Sequence, residues 1–232
     1  MKHEFISQFI IVITHAKETN MNLEDLRREY TFEGLNESEV ADDPYVQFDV
    51  WFQAAIDSKI ELPDVMTLAT ASKTGTPSAR IVVLRGLDKD GFVFYTDYGS
   101  NKSHDLFENP KASLVFFWRE LGRQVRISGA VMKVERSKSI AYFNSRPLES
   151  RLAAVASNQS EIISNRKLLE DRYSEIEQEV KKDYIKCPGN WGGFRVVPAE
   201  FEFWQGRKLR LHDRIRYRQG KGKSWIVERL AP

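Results

Sequence analysis

The stretch MTLATASKTGTPSARIVVL, residues 66–84, decides the fold. Two short apolar segments, residues 66–71 and 79–84, flank the turn signal Lys73-Thr74-Gly75. Apolar and β-branched segments separated by a glycine-containing turn are typical of antiparallel strands. The stretch therefore predicts β structure, and the sequence after it continues in the same way.

Further strand-like segments extend this pattern to the C-terminus, at residues 92–95, 113–118, 124–134, 193–197, 200–204, 215–218 and 225–230. Turn signals such as Asp88-Lys89-Asp90-Gly91 and Asn109-Pro110 separate the earlier ones. Helices are predicted over residues 23–30, 44–58, 102–108, 137–144 and 162–180, the second of them capped by Asp43 ahead of Pro44. The pattern predicts a mainly β protein with surrounding helices (α+β), arranged as a barrel or sandwich.

Composition limits the classes of protein to which the chain can belong. Its 232 residues suit a flexible extension over residues 1–22 and a single domain over residues 23–232. The net charge of +2 indicates no special partner, and no nucleic-acid motif accompanies the basic C-terminal segment. No apolar run approaches the ~20 residues of a membrane span. We therefore expect neither a nucleic-acid partner nor a membrane.

The cysteine and histidine content argues against a metal site. Cys187 is the only cysteine, which excludes an internal disulfide and a cysteine-built metal site. The four histidines, His3, His15, His104 and His212, show no paired spacing. The sequence predicts no metal, and it favours a reducing, cytoplasmic location over a mitochondrial one.

The segment WQGRKLRLHDR, residues 204–214, carries the strongest chemical signal. Arg210, His212 and Arg214 alternate, so a strand through them would place all three side chains on one face. Two guanidinium groups and an imidazole suit an anionic aromatic ligand, because a hydrogen bond to a charged group contributes on the order of 1.5–3 kcal/mol. Charge alone fits an exposed basic strand equally well.

Two further segments offer groups for a phosphate. In RIVVLRG, residues 80–86, Arg80 and Arg85 bracket a predicted buried strand, although solvent-facing strand ends would give the same pattern. Gly99-Ser100-Asn101-Lys102 is a polar turn that enters a helix. Backbone N–H groups at a helix N-terminus, together with a lysine, suit a phosphate, but one such turn is a weak signal.

A third phosphate signal lies in YFNSRPLESRLAAVASNQS, residues 142–160. Tyr142, Arg146 and Ser150 are four residues apart, which would stack them on one helical face, although Pro147 interrupts that helix. A phenol, a guanidinium and a hydroxyl group suit a phosphate; the alternative is a helix-to-helix corner. With the other segments this is more than one phosphate needs, which predicts two phosphorylated ligands side by side.

From about Leu23 to Pro232 the chain resembles the pyridoxine/pyridoxamine 5′-phosphate oxidase family. The matching motifs, in order, are L-R-R-E-Y, R-I-V-V-L, F-Y-T, G-S-x-K, R-Q-V-R, Y-F-x-S-R-P-x-x-S, N-Q-S, W-G-G-F-R, E-F-W-Q-G, R-L-H-D-R and E-R-L-A-P. The resemblance implies an antiparallel FMN-binding split β-barrel, a homodimer with FMN at its interface, and no metal.

The resemblance also implies which residues bind FMN. Arg80 and Lys102 would hold its phosphate with Gln159 and Ser160, and the remaining cofactor residues would be Ile81, Val82, Val83, Leu84, Arg85, Tyr95, Thr96, Asn101, Gln124, Trp204 and Arg214. Two positions depart from the family pattern. Arg85 stands where a lysine is usual, and Asn101 stands where a basic residue is usual, so one phosphate contact is in question.

On the substrate side, the resemblance implies that Tyr142, Arg146 and Ser150 bind the substrate phosphate together with Arg85. Arg210 and His212 would cover the pyridine ring as catalytic residues, and Arg27 and Tyr30 would form a lid.

The implied reaction oxidises pyridoxamine and pyridoxine 5′-phosphate to pyridoxal 5′-phosphate, with O2 as electron acceptor and H2O2 as product. A hydride would pass from the substrate C4′ carbon to flavin N5. The alternative is a non-catalytic split-barrel protein that carries FMN or pyridoxal phosphate. The Arg210-Leu211-His212 segment and the Tyr142, Arg146 and Ser150 group favour the enzyme.

Overall fold

The computed structural model describes residues 29–30, 32–180, 185–222 and 224–232. Strands β1 to β9 in these residues form one antiparallel sheet. Their bounds are β1 Val65–Ala71, β2 Pro77–Val83, β3 Gly86–Asp88, β4 Gly91–Asp97, β5 Lys111–Trp118, β6 Arg123–Lys133, β7 Trp191–Gln205, β8 Asp213–Gln219 and β9 Trp225–Arg229.

Helices surround this sheet. The α-helices are α1 Pro44–Asp57, α2 Asn101–Glu108, α3 Arg136–Ser145, α4 Leu148–Ala156 and α5 Arg166–Glu179, and short 3₁₀ turns cover Arg119–Leu121 and Lys208–Arg210. Helix α1 begins as predicted, because the Asp43 side chain accepts the Tyr45 N–H and Pro44 occupies the first helical turn. None of the helices in the described part of the chain is long and apolar enough to cross a membrane.

Strand β7 organises the sheet because it pairs with three other strands. Its first part pairs with β4, its last part pairs with β8, and β6 runs along most of its length. The sequence predicted two strands here, over residues 193–197 and 200–204, and the structure joins them into one. The pairing with β6 shifts register at Ser128 and Gly129, where a Cβ on Gly129 would lie 1.9 Å from the Val197 carbonyl oxygen. Glycine permits that close approach.

The core lies between the inner face of the sheet and helix α1. Strand β1 alternates buried and half-buried residues, as expected for a strand with one face on a core. Phe48 of α1 makes edge contacts with Phe92 and Phe116, with ring centroids 4.9 Å and 5.0 Å apart. Trp51 meets Phe203 in the same way at 5.3 Å. The curled antiparallel sheet with flanking helices is the α+β split barrel that the sequence predicted.

Two local predictions were wrong. The strand through Ile81 was predicted to be buried, but Ile81 is 64% exposed, and only Leu84, just beyond β2, lies in the core. The alternation of Arg210, His212 and Arg214 predicted a strand, but β8 begins only at Asp213. Leu209 and Arg210 lie in a 3₁₀ turn with φ of 56° and 62°. The turn rotates the chain, so the three side chains do not share a strand face. The predicted extension over residues 1–22, the domain boundary there and Arg27 lie outside the described residues.

Candidate active site

A cavity of about 1030 Å³, called here the large cavity, opens beside β2, β4 and the helices α3, α4 and α5. It collects many of the predicted site residues, which are Ile81, Val82, Val83, Arg85, Tyr95, Thr96, Lys102, Tyr142, Arg146, Ser150 and Gln159. Leu84 is instead buried in the core. Cations lie at two places along the wall of this cavity.

The first place is Lys102, in the first turn of α2. Its Nζ donates to Gln159 Oε1 at 2.6 Å and to Thr96 Oγ1 and Ser100 Oγ at 3.1 Å each. Burial and the nearby charge of Arg80 lower the pKa of Lys102 from 10.5 to about 8, although Asp97 acts in the opposite direction. A buried ammonium that meets only neutral oxygens suits an anionic ligand.

Arg80, on β2, lies close enough to Lys102 for its charge to act on the Lys102 ammonium. Its guanidinium donates to Thr70 Oγ1 at 2.7 Å and lies 3.9 Å from Asp105 Oδ2. Asn101 directly precedes Lys102, and its backbone N–H donates to Ser160 Oγ at 3.2 Å, which brings Ser160 to the same end of the cavity. Ser160 has a φ of 75°, a strained backbone conformation of the kind that concentrates at functional sites.

The second cationic place is Arg146, at the α3–α4 corner. Tyr142, Arg146 and Ser150 all line the large cavity even though Pro147 separates two helices there. Burial lowers the pKa of Arg146, and so does the neighbouring charge of Arg85. Among the described residues, Arg146 Nη1 is buried and has no hydrogen-bond partner. An unpaired buried donor beside a second arginine suits an anion. Arg85 itself pairs with Asp64.

Three stacked aromatic rings line the same cavity as the two cationic places. Tyr95 lies parallel to Tyr142, with centroids 4.0 Å apart, and parallel to Trp191 at 5.5 Å. The Arg146 guanidinium lies 5.0 Å from the centroid of the Trp191 ring. A flat apolar wall in a cavity with two cationic places matches a planar ligand that carries phosphate.

A second, small cavity of about 540 Å³ holds four of the predicted site residues that do not line the large cavity. Its lining includes Tyr30, Trp204, Arg210 and His212. The rings of Tyr30 and Trp204 meet the His212 ring at centroid distances of 5.7 Å and 4.7 Å. The predicted catalytic residues and the predicted phosphate-binding residues therefore occupy different cavities of one chain.

His212 is held in a defined orientation. The Arg207 N–H donates to His212 Nδ1 at 3.0 Å, so the neutral ring carries its proton on Nε2. Burial and the charge of Arg210 lower the pKa of His212 from 6.5, while Asp213 raises it. The imidazole is consequently neutral at pH 7, with an Nε2–H to donate.

Arg214, predicted to contact the flavin, is already paired. Its Nε and Nη2 donate to the two carboxylate oxygens of the buried Glu202 at 2.9 Å and 3.1 Å. Its Nη1 donates to the Ala231 carbonyl at 2.8 Å. Gln124 is the cross-strand partner of Trp204, and neither Gln124 nor Arg214 lines either cavity.

Four residues that matter here were not singled out from the sequence: Asp97, Trp191, Glu202 and Arg207. Trp191 carries the ring beneath Arg146, Glu202 fixes Arg214, and the Arg207 N–H fixes His212. Only the W-G-G-F-R motif pointed to Trp191. The described residues contain no cluster of histidine, cysteine or acidic side chains that could hold a metal ion.

Two family models match the chain. The model for "Pyridoxamine 5′-phosphate oxidase" matches residues 52–179, and that for "Pyridoxine 5′-phosphate oxidase C-terminal dimerisation region" matches residues 191–232. The pyridoxine/pyridoxamine 5′-phosphate oxidase of Nostoc sp. strain PCC 7120 is 52% identical over 208 residues, which cover 90% of this chain and 97% of that protein.

Solved structures agree with this match. PhzG from Burkholderia lata 383, in complex with tetrahydrophenazine-1-carboxylic acid, has a TM-score of 0.81 and 29% identity, covering 88% of this chain and all of that one. A pyridoxamine 5′-phosphate oxidase-related, FMN-binding protein from Nostoc punctiforme has a TM-score of 0.66 and 18% identity, covering 83% of this chain, and shares the fold. This chain therefore belongs to the pyridoxine/pyridoxamine 5′-phosphate oxidase family, the FMN-dependent oxidoreductases of vitamin B6 metabolism with a C-terminal dimerisation region.

Proposed function

We propose that this chain oxidises pyridoxamine 5′-phosphate and pyridoxine 5′-phosphate to pyridoxal 5′-phosphate, with O2 as the electron acceptor and H2O2 as the product. The observation that carries the proposal is the large cavity, which is lined by stacked aromatic rings and by both Lys102 and Arg146. Two separate anion-binding places are what a phosphorylated cofactor and a phosphorylated substrate require. We also propose a cytoplasmic location, consistent with a chain whose single cysteine forms no internal disulfide.

FMN fits the Lys102 end of the cavity. Lys102, with Arg80 behind it, supplies positive charge for the phosphate, and Gln159, Ser160 and the α2 N-terminus supply polar groups. Asn101 contributes its backbone N–H, so the missing basic side chain leaves the helix N-terminus intact. The segment 81–83, with Tyr95 and Thr96, lines the space for the ring system. Bound FMN supplies the two-electron acceptor that the side chains of this protein lack.

The substrate phosphate fits the Arg146 end. Arg146 Nη1 gains the acceptor that it lacks, and the Tyr142 and Ser150 hydroxyl groups add two more donors. Arg85 brings a second positive charge where the family pattern has a lysine. A guanidinium group has several N–H donors in one plane, whereas a lysine has a compact ammonium. Arg85 therefore donates to the phosphate from one edge while its Nη1 keeps the ion pair with Asp64.

The small cavity completes the site from the partner of a homodimer. Arg210 and His212 do not line the large cavity of their own chain, and the C-terminal region that contains them matches the family's dimerisation region. A two-fold axis would bring the small cavity of one protomer over the large cavity of the other, twice in each dimer. In this arrangement, His212 donates Nε2–H to a polar substituent of the pyridine ring, and Arg210 fixes the orientation of the ring. Tyr30 packs beside His212 as part of a lid, to which we assign Arg27 as well.

The first test is spectroscopic. The purified protein should be yellow, and its flavin absorbance should bleach when pyridoxamine 5′-phosphate is added without oxygen and return with air. A yellow protein that no B6 phosphate bleaches would support the non-catalytic alternative. Bleaching by a phosphate-free phenazine precursor that is insensitive to Arg146→Ala would favour a PhzG-like activity instead.

The second test concerns the dimer. Arg146→Ala and Arg210→Ala are co-expressed on chains with different tags, and the mixed dimer is isolated through both tags. If each site joins two protomers, one site of the mixed dimer has both wild-type residues and about half of the wild-type activity remains. Each homodimeric variant should be nearly inactive. A mixed dimer as inactive as its parents would show that both residues serve a site within one chain.

A further inference from the structure

Asp97, at the end of β4, joins three separate segments of the chain. Its carboxylate is buried, and its Oδ1 accepts the Gly99 N–H at 2.6 Å. Both carboxylate oxygens lie 3.1 Å from Asn190 Nδ2, in the turn before β7. The backbone N–H of Gln159, beyond α4, donates to Oδ2 at 3.4 Å. One side chain thereby ties the β4 end to two places that are 62 and 93 residues away along the chain.

The main chain of Asp97 also anchors the start of α2. Its carbonyl oxygen accepts the hydroxyl groups of Ser100 and Ser103, both at 2.7 Å and both fully buried. Lys102 lies between these two serines, and its Nζ donates to Ser100 Oγ. The position of the Lys102 ammonium therefore depends on the turn that Asp97 holds.

Asp97 lines the large cavity, but both of its carboxylate oxygens already accept hydrogen bonds. Its oxygens are engaged by N–H groups of Gly99, Asn190 and Gln159. Hydrogen bonding to a carboxylate stabilises its charged form and spreads that charge over its donors. A carboxylate held in this way organises neighbouring donors without competing for the phosphate.

We propose that Asp97 is a positioning residue that assembles the phosphate end of the FMN site, by holding Gln159 and the first turn of α2 around Lys102. The proposal rests on the proposed function, because it takes FMN as the ligand at this end. Asp97 lines the large cavity, but its carboxylate oxygens are already engaged by three N–H donors, so we expect its effect to fall on cofactor retention rather than on the substrate.

The experiment measures FMN release from the purified holoprotein by the rise in free flavin fluorescence after dilution. Asp97→Asn keeps the size and one acceptor but cannot serve all three donors, and we expect its release to be about tenfold faster, the equivalent of one lost hydrogen bond to a charged group. Asp97→Ala should be faster still. Asp90→Asn is the control, because it also removes a carboxylate. The Asp90 side chain is exposed, lies in the β3–β4 hairpin and pairs with Arg195, so FMN release from this variant should be as slow as from the wild type.

A pH series separates this role from a general loss of structure. Arg80 on β2 and Asp97 on β4 are the charged groups that act on Lys102, with opposite effects on its protonation, and Asp105 of α2 lies beside Arg80. Without the Asp97 charge, Lys102 loses its proton at lower pH. The pH at which FMN release accelerates should therefore move down in Asp97→Asn, whereas a variant that only loosens packing would be faster at every pH.

The outcomes are distinguishable. Wild-type holoprotein that carries FMN, with an Asp97→Asn variant that releases it equally slowly and with the same pH profile, would overturn this proposal alone. A wild-type protein that binds no FMN would overturn the proposed function as well. Near-ultraviolet circular dichroism checks that each variant is folded, and Asp97→Asn remains decisive if Asp97→Ala does not fold.

Discussion

The guanidinium of Arg146 lies over the indole ring of Trp191, 5.0 Å from its centroid. Arg146 is half-buried, and this burial lowers the pKa of its guanidinium, so its charge is partly removed from water. The face of an indole ring attracts a cation and is worth about 2 kcal/mol or more where the pair is desolvated. Trp191 therefore offsets part of the cost of holding a positive charge ready for the substrate phosphate.

Replacing Trp191 should weaken substrate binding more than cofactor binding. We expect Trp191→Leu to raise KM for pyridoxamine 5′-phosphate by about tenfold or more, because the cation–π contact is lost. Trp191→Phe keeps a ring and should lie between the wild type and Trp191→Leu. Steady-state kinetics with bound flavin measured in parallel checks this. Loss of flavin with an unchanged KM would mean that Arg146 belongs to the FMN site and not to the substrate phosphate site.

In the absence of FMN, the buried Lys102 ammonium should lower the free energy of unfolding of the protein. The pKa of Lys102 is lowered from 10.5 to about 8, so between these pH values the unfolded chain binds more protons than the folded one. The free energy of unfolding of the FMN-free protein should therefore rise with pH in this window, and the cost is fully present below pH 8. Lys102→Met should remove this pH-dependent component.

The stability prediction is tested by urea unfolding of the FMN-free wild type and of FMN-free Lys102→Met at several pH values. The Lys102→Met variant should also bind FMN poorly. At pH 7 we expect the variant to be more stable by about 1 kcal/mol, or about 2–4 °C in Tm. A variant less stable than the wild type without FMN would contradict the burial cost, and one that retains FMN as firmly would remove Lys102 from the phosphate site.

His212 should give the enzyme an acid limit. Its pKa is lowered from 6.5 by burial and Arg210, and only the neutral ring accepts the Arg207 N–H on Nδ1. We expect kcat/KM to fall as pH drops through this lowered pKa, because protonation breaks that contact. His212→Asn keeps an acceptor near Nδ1 but has no donor at Nε2. Its kcat/KM at pH 7 should be about 3- to 10-fold lower, from the value of one hydrogen bond between neutral groups.

The acid limb of the pH profile should also disappear in His212→Asn. A wild-type profile that is flat from pH 5 to pH 8 would contradict a neutral His212 as the active form. An unchanged limb in the variant would assign it to another group.

Glu202 should matter more for stability than the less buried Glu200 on the same strand. Glu202 is buried and pairs with Arg214 and Arg126, whereas Glu200 is only half-buried and pairs with Arg216 at 3.8 Å. We expect Glu202→Gln to lower the free energy of unfolding by about 1.5–3 kcal/mol and Glu200→Gln by less than about 1 kcal/mol. Urea unfolding of the two variants measures both. Equal effects would mean that the Arg214 pair has the value of a surface ion pair.

Much of the fold followed from local sequence. The apolar and β-branched residues of the segment 66–71, next to a glycine-containing turn, predicted strand β1, and Asp43-Pro44 predicted the start of α1, because both patterns report interactions within a few residues. The Arg210-Leu211-His212 segment shows the limit of this approach. Its alternation predicted a strand, but Leu209 and Arg210 take positive φ values that only the surrounding structure imposes.

The sequence by itself determined most of the strands and helices, the family and its cofactor, and the kinds of side chain available to two phosphates. Tertiary structure decided which of these side chains meet. It places Arg146 in the large cavity and His212 in the small cavity. It also created contacts such as Asp97 with Asn190, which are 93 residues apart. Periodicity records only neighbours along the chain, whereas such contacts depend on how β7 joins its three partner strands.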